Sequence, residues 1–141
     1  PGTDKFFAGQ VEISDEFGDF GTAKINDEKI EYNLASALGG NTTLSVVATN
    51  VILNKSEALR LAIMCQDGIG KAIRPAHTPY DGDVVFVIST GLLKAKEQPE
   101  ILLSRLGNLA TDCVSRSIAR GVYFAETLNG YKSYKDFYKK K

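Results

Sequence analysis

Two short β-branched runs, held apart by a helical pattern, set the frame for this chain. "TLSVVAT", residues 43–49, puts Leu44, Val46 and Ala48 on one face and Thr43, Ser45, Val47 and Thr49 on the other. Small and apolar side chains on both faces predict a central strand covered on both sides. "VVFVIST", residues 84–90, is a second apolar strand. Between them Leu59, Ala62, Ile63, Gln66, Ile69, Gly70 and Ile73 recur at three-and-four spacing, with Asn54 or Ser56 as the cap. Gly68 and Gly70 in this helix predict close packing against a neighbour. A last helix opens near Pro99, a residue suited to a first helical turn, and runs to about Glu126. Leu102, Leu106, Leu109, Cys113, Ser117 and Gly121 lie near one stripe of it. Strand, helix, strand and long helix make an α/β chain, a sheet with helices packed on it.

The ends are less regular. The first forty residues are acidic and glycine-punctuated, which predicts strands or extended segments joined by turns. The tail "NGYKSYKDFYKKK" interleaves Tyr131, Tyr134, Phe137 and Tyr138 with lysines. That spacing is able to stack bases along a single strand, but the whole chain balances 17 basic against 17 acidic residues and offers no field to gather a polyanion. A solvated, amphipathic C-terminus is the plainer reading, with neither nucleic acid nor membrane as a partner.

A length of 141 residues suits one domain. The two cysteines, Cys65 and Cys113, fall inside helical patterns and read as buried reduced thiols. With no apolar run of membrane-spanning length and no basic-then-apolar leader in "PGTDKFFAGQ", the expected location is cytoplasmic.

Few constellations carry chemistry. His77 is the sole histidine, so it cannot build a histidine-rich metal site, and it reads as a surface or hydrogen-bonded loop residue. "DGIGKAI" echoes a phosphate loop but lacks its glycine spacing, and Ala72 stands where a hydroxyl would hold magnesium. Asp81 and Asp83 flank Gly82 and can lie on one side of an extended segment, sharing a hydrogen-bond network or a cation. An acidic turn ahead of a strand explains them as well.

Asn41-Thr42 suggests another chemistry. A threonine hydroxyl needs a base to take its proton, and an α-amino group, with a pKa of roughly 7.7 to 8.0, is matched to that role. A cut before Thr42 would make one residue both nucleophile and base. The hydroxyl can make that cut itself by attacking the preceding carbonyl, helped by the backbone freedom of Gly39 and Gly40. A Gly-Gly-Asn turn leading into a strand is the simpler meaning of the same residues.

"NTTLSVVATN", "DGIGKAIRPAHTPYDGD", "VVFVISTG" and "LGNLATDCVSRSIARGVY" together resemble the β-chain region of the self-cleaving aminopeptidases. That family includes L-aminopeptidase/D-esterases, β-peptidyl aminopeptidases and endo-type nylon-oligomer hydrolases. The likeness runs in order from Gly39 to about Tyr123 and places the cleavage bond between Asn41 and Thr42, with Thr42 as nucleophile. It implies that Asp81 and Asp83 hold and polarise the Thr42 ammonium and hydroxyl as a coupled pair. The Asp pair looks closest to the nylon-oligomer branch.

The implied fold is a layered α-β-β-α sandwich, of which this chain is a part. Residues 1–41 would be the C-terminal end of the α-chain and residues 42–141 the β-chain. The implied partners are the remainder of the α-chain, further copies of the αβ unit in a homo-oligomer, and a small peptide-like substrate. The family's oxyanion-hole asparagine, a lysine and much of the pocket are expected upstream. Neither metal nor organic cofactor is implied.

Three functions follow as expectations. The first is an autoprocessed N-terminal-threonine amidohydrolase acting on short peptides, amino-acid amides or esters, or amide oligomers through an acyl-enzyme. The second is a non-catalytic assembly or binding module that keeps the fold without the site. The third is a metal-dependent enzyme built on Asp81 and Asp83.

Overall fold

The computed structural model describes residues 3–24 and 42–138. Strand β1 (Leu44–Val51) is followed by helix α1 (Lys55–Ala72), strand β2 (Val84–Leu93), helix α2 (Pro99–Phe124) and a short helix α3 (Tyr134–Tyr138). β1 and β2 pair in parallel, from Leu44 opposite Val84 to Thr49 opposite Ser89, so α1 is the crossover of a βαβ unit.

Local chemistry fixes the boundaries. Asn54 caps α1 with a capping box: its side chain accepts from the Glu57 N–H, and its own N–H donates to Glu57 Oε2 at 2.7 Å. Pro99 stands in the first turn of α2, as the sequence predicts. At the far end of the sheet the Ser89 hydroxyl donates to the Val51 carbonyl at 2.7 Å and accepts from the Leu53 N–H at 3.3 Å, tying the exit of β1 to β2.

The core gathers Leu61, Cys65 and Ile69 of α1, Val85 of β2, and Ala110 and Val114 of α2. Close approach of the two long helices depends on one glycine from each. A Cβ on Gly68 would stand 2.4 Å from the Thr111 carbonyl oxygen, and one on Gly107 would stand 2.2 Å from the Met64 methyl. Gly68 therefore packs as predicted, whereas Gly70 has nothing within 4 Å of a Cβ position.

The packed face of α2 differs from the predicted stripe. Gly107, Ala110, Thr111, Val114, Ser115 and Ala119 are buried, while Leu109 is 64% exposed. Small residues win this face because the helices meet closely enough to exclude leucine. Cys113, expected to be buried, is exposed for the same reason of helix rotation; Cys65 is buried, and both are free thiols.

The sheet also departs from expectation. Ser45, Val47 and Thr49 turn inward together with Val85, Val87 and Ser89, but Leu44 (69% exposed), Val46, Phe86 and Ile88 line an uncovered opposite face. The described residues supply helices to one side only, so β1 is covered on one face rather than two. A mixed α/β architecture with a small parallel sheet is what they form.

Residues 3–24 wrap against α2 and the tail. They hold a 3-10 turn (Phe7–Val11) and a bridge pairing Phe6 with Thr22, in place of full strands. Phe17 and Ala8 are buried against Ala119, and Phe6 packs edge-on to Phe17 with ring centres 5.3 Å apart. Glu16 forms a fork with Arg116 and also meets Arg120 Nη1 at 2.9 Å. The Arg116 hydrogen bond, helped by Arg120, holds the Glu16 carboxyl down to about 2.

The tail is more than a solvated end. Tyr134 lies 4.8 Å from Phe6, ring to ring, and its hydroxyl donates to the Asp4 carbonyl. Lys135 sits over the Tyr123 ring at 4.2 Å. The aromatic spacing thus closes a cluster between the two ends of the described chain, which the sequence reading missed.

Candidate functional site

The site grows from the point where β1 enters the sheet. Thr43 gives its N–H to Asp83 Oδ1 at 2.8 Å, and its carbonyl accepts the Val84 N–H at 3.0 Å. These two contacts pin the start of β1 to the start of β2. Thr42 is therefore the first residue outside the ladder, exposed at its mouth.

Gly82 brings the loop before β2 against Thr42. A Cβ at Gly82 would stand only 2.8 Å from Thr42 Oγ1, so the absence of a side chain is what lets the hydroxyl lie there. In "DGD" the glycine is thus a spacer with a measurable purpose, and the two carboxylates sit on either side of it in sequence.

Those carboxylates are held by different groups. Asp81 Oδ2 accepts the Thr78 N–H at 2.8 Å, while its own N–H returns to the Thr78 carbonyl at 3.0 Å, a closed local turn. The Asp83 side chain is enclosed, 5% exposed. Besides Thr43, Asp83 accepts from the His77 N–H at 3.2 Å and meets His77 Nδ1 at 2.9 Å. Burial pushes the Asp83 carboxyl up, but the N–H donors of Thr43 and His77 and the nearby imidazole together outweigh it and leave the pKa below the ordinary value. Asp83 is accordingly an ionised carboxylate one residue from Thr42.

His77, read from sequence as a surface or hydrogen-bonded loop residue, is both, and its partner is Asp83. It is half-exposed, and its second ring nitrogen, Nε2, lies 3.2 Å from the Gln66 carbonyl of α1. A lone histidine in a loop gave no signal by spacing; only the fold carries it to Asp83. Asn41, the other half of the expected cleavage bond, lies outside the described residues.

An open groove of about 570 Å³ runs between β1 and α2, lined by Leu44, Val46, Ala110, Cys113 and Ser117 among others. Thr42, Asp81 and Asp83 do not line it, so it follows the outer edge of β1 and is separate from the hydroxyl and carboxylates.

The Thr42 hydroxyl thus lies at the strand mouth, against Gly82 and one residue from the main-chain N–H that Asp83 holds. Residues 10–135 match the model of Peptidase family S58. An uncharacterized aminopeptidase of Mycobacterium bovis is 36% identical over 74% of this chain and 35% of the relative, and one of Mycobacterium leprae is 37% identical over 67% and 28%. A 6-aminohexanoate-oligomer endohydrolase of Kocuria sp. is 33% identical over 51% of this chain and 20% of that enzyme. The chain thus spans about a third of the length of its aminopeptidase relatives.

Proposed function

The chain belongs to Peptidase family S58, and from that premise we propose that it is the catalytic part of an autoprocessed hydrolase whose nucleophile is Thr42. The single observation that carries the reading is the seating of Thr42 Oγ1 against Gly82, the residue that separates Asp81 from Asp83 in sequence, with Asp83 holding the N–H of Thr43.

Processing would begin with the Thr42 hydroxyl attacking the Asn41 carbonyl carbon. The peptide C–N bond breaks, an ester to Thr42 Oγ1 replaces it, and the α-amine of Thr42 is released. Water then cleaves the ester, leaving residues 1–41 as the end of an α-chain and residues 42–141 as a β-chain. In turnover the freed amine takes the hydroxyl proton as Oγ1 attacks a substrate amide, and that proton passes to the leaving amine. Water releases the resulting acyl-enzyme.

Asp83 suits the amine. An ionised carboxylate nearby favours and orients an ammonium, which then cycles between charged and neutral forms during each transfer. Asp81, turned to Thr78, shapes the loop that presents Gly82 to Thr42.

The names of the relatives direct the choice of substrates: short peptides, amino-acid amides or esters, and amide oligomers. In the whole protein the uncovered face bearing Leu44, Val46, Phe86 and Ile88 would be covered by the remainder of the α-chain, completing a layered sandwich. Such αβ units would then assemble as a homo-oligomer, in the cytoplasm.

The test is hydrolysis by the full-length protein of amino-acid p-nitroanilides, amino-acid esters and 6-aminohexanoate oligomers. Activity that survives chelation and vanishes in Thr42→Ala supports the reading. Activity unchanged in Thr42→Ala contradicts it.

A further inference from the structure

Resting on the Thr42 reading, we propose that His77 is a positioning residue that clamps Asp83 against the entrance of β1 and thereby sets the place of Thr42. Three independent features converge on it.

The first is geometry. Asp83 has two oxygens with two duties: Oδ1 takes the Thr43 N–H at 2.8 Å, and Oδ2 takes both the main-chain N–H and the ring of His77, at 3.2 and 2.9 Å. Rotating the carboxylate would break both duties at once. His77 therefore fixes the plane from which Oδ1 reaches Thr43, the residue covalently next to the nucleophile.

The second is anchorage. A ring that touched only Asp83 would swing with it, but Nε2 of His77 also faces the Gln66 carbonyl on α1 at 3.2 Å. Helix α1 belongs to the core through Leu61, Cys65 and Ile69. With a hydrogen on each ring nitrogen, the ring donates to both acceptors and is a strut from a rigid helix to the carboxylate.

The third is backbone conformation. His77 has φ of +57°, in the left-handed region that non-glycine residues seldom occupy. Here the conformation turns the ring toward two acceptors. Asp83 and the Gln66 carbonyl are what it touches.

Because glycine fits this backbone without strain, His77→Gly removes the ring while leaving the loop free to keep its path. The experiment follows cleavage of the Asn41–Thr42 bond in freshly synthesised full-length precursor, for wild type, His77→Gly and Thr42→Ala, with and without added imidazole. The expected result is cleavage slowed on the order of tenfold to a hundredfold in His77→Gly, with the fold retained by circular dichroism and the rate partly restored by imidazole. Cleavage by His77→Gly at the wild-type rate overturns the proposal. So does a slowing that imidazole leaves untouched.

A second measurement needs no folded glycine variant. With 15N-labelled histidine, the His77 ring resonances in the full-length Thr42→Ala protein are identified by their absence from the added His77→Gln variant. A hydrogen-bonded Nδ1–H that shifts in the added Asp83→Asn background supports the strut; an Nδ1 indifferent to that change overturns it. Failure of the wild type to cleave at all would count against the Thr42 reading itself, whereas the ring spectrum reports on His77 alone.

Discussion

The Thr43 main-chain N–H and Asp83 Oδ1 meet at 2.8 Å across forty residues of sequence, and this contact joins the strand mouth to the acidic loop. Everything proposed for Thr42 depends on it, because Thr43 is the last residue fixed by the sheet before the hydroxyl.

Asp83→Asn is expected to cost roughly 1–3 kcal/mol, since an amide cannot accept from Thr43, the His77 N–H and the His77 ring without setting its own NH₂ against a donor. The pH dependence has a definite sign. A carboxyl whose folded pKa lies below its unfolded value stabilises the fold fully above the ordinary carboxylate range, and the contribution is lost as pH falls through the folded pKa. In acid titrations followed by circular dichroism, wild type should lose this contribution as pH falls below the ordinary carboxylate range while the variant, which lacks it throughout, does not, so that the gap between them closes in acid.

Gly82→Ala separates placement from stability. The added methyl would meet Thr42 Oγ1 at 2.8 Å, but Thr42 is exposed and can yield. Thermal stability should change by no more than about 0.5 kcal/mol. Processing should slow on the order of a hundredfold, as displacement of a reacting atom by about 1 Å predicts.

Glu16→Gln tests the strap formed by residues 3–24. Glu16 is 9% exposed and bonded to two arginines, so the neutral amide should cost roughly 1–3 kcal/mol in chemical denaturation. With its pKa lowered from 4.5 to about 2, Glu16 contributes stability that is complete above 4.5 and is lost as pH falls towards 2. After cleavage at Asn41–Thr42 this contact would join two separate polypeptides, and size-exclusion chromatography at pH 3 should release the N-terminal piece sooner from the variant.

Gly68→Ala sets two effects against each other. Alanine gains about 1 kcal/mol of helix propensity, yet its methyl would stand 2.4 Å from the Thr111 carbonyl and 2.9 Å from Val114. The clash wins, because a main-chain oxygen cannot swing aside as a flexible side chain can. A net loss of roughly 1–3 kcal/mol is expected in urea denaturation.

Much of this was legible from residue pattern. The βαβ frame followed from two β-branched runs and a capped helix, and Asn54 and Pro99 mark their helix starts as their side chains dictate. Less was legible wherever packing chose among options the sequence leaves equal. Hydropathy put Leu109 on the buried stripe of α2, whereas close contact at Gly68 and Gly107 selected Ala110 and Val114 instead. Alternation showed small or apolar side chains on both faces of β1, but covering the second face requires a layer that the described residues do not hold. At the site, Thr42, Asp81 and Asp83 were visible through a family likeness, while His77 reaches Asp83 by a loop turn that no spacing rule encodes.

The central claim is the conversion of Thr42 into an N-terminal nucleophile, and intact mass with N-terminal sequencing of the full-length protein tests it most directly. The account predicts two polypeptides, one beginning Thr-Thr-Leu-Ser, and a single chain in Thr42→Ala. A native protein that remains unbroken through Asn41–Thr42 would contradict it.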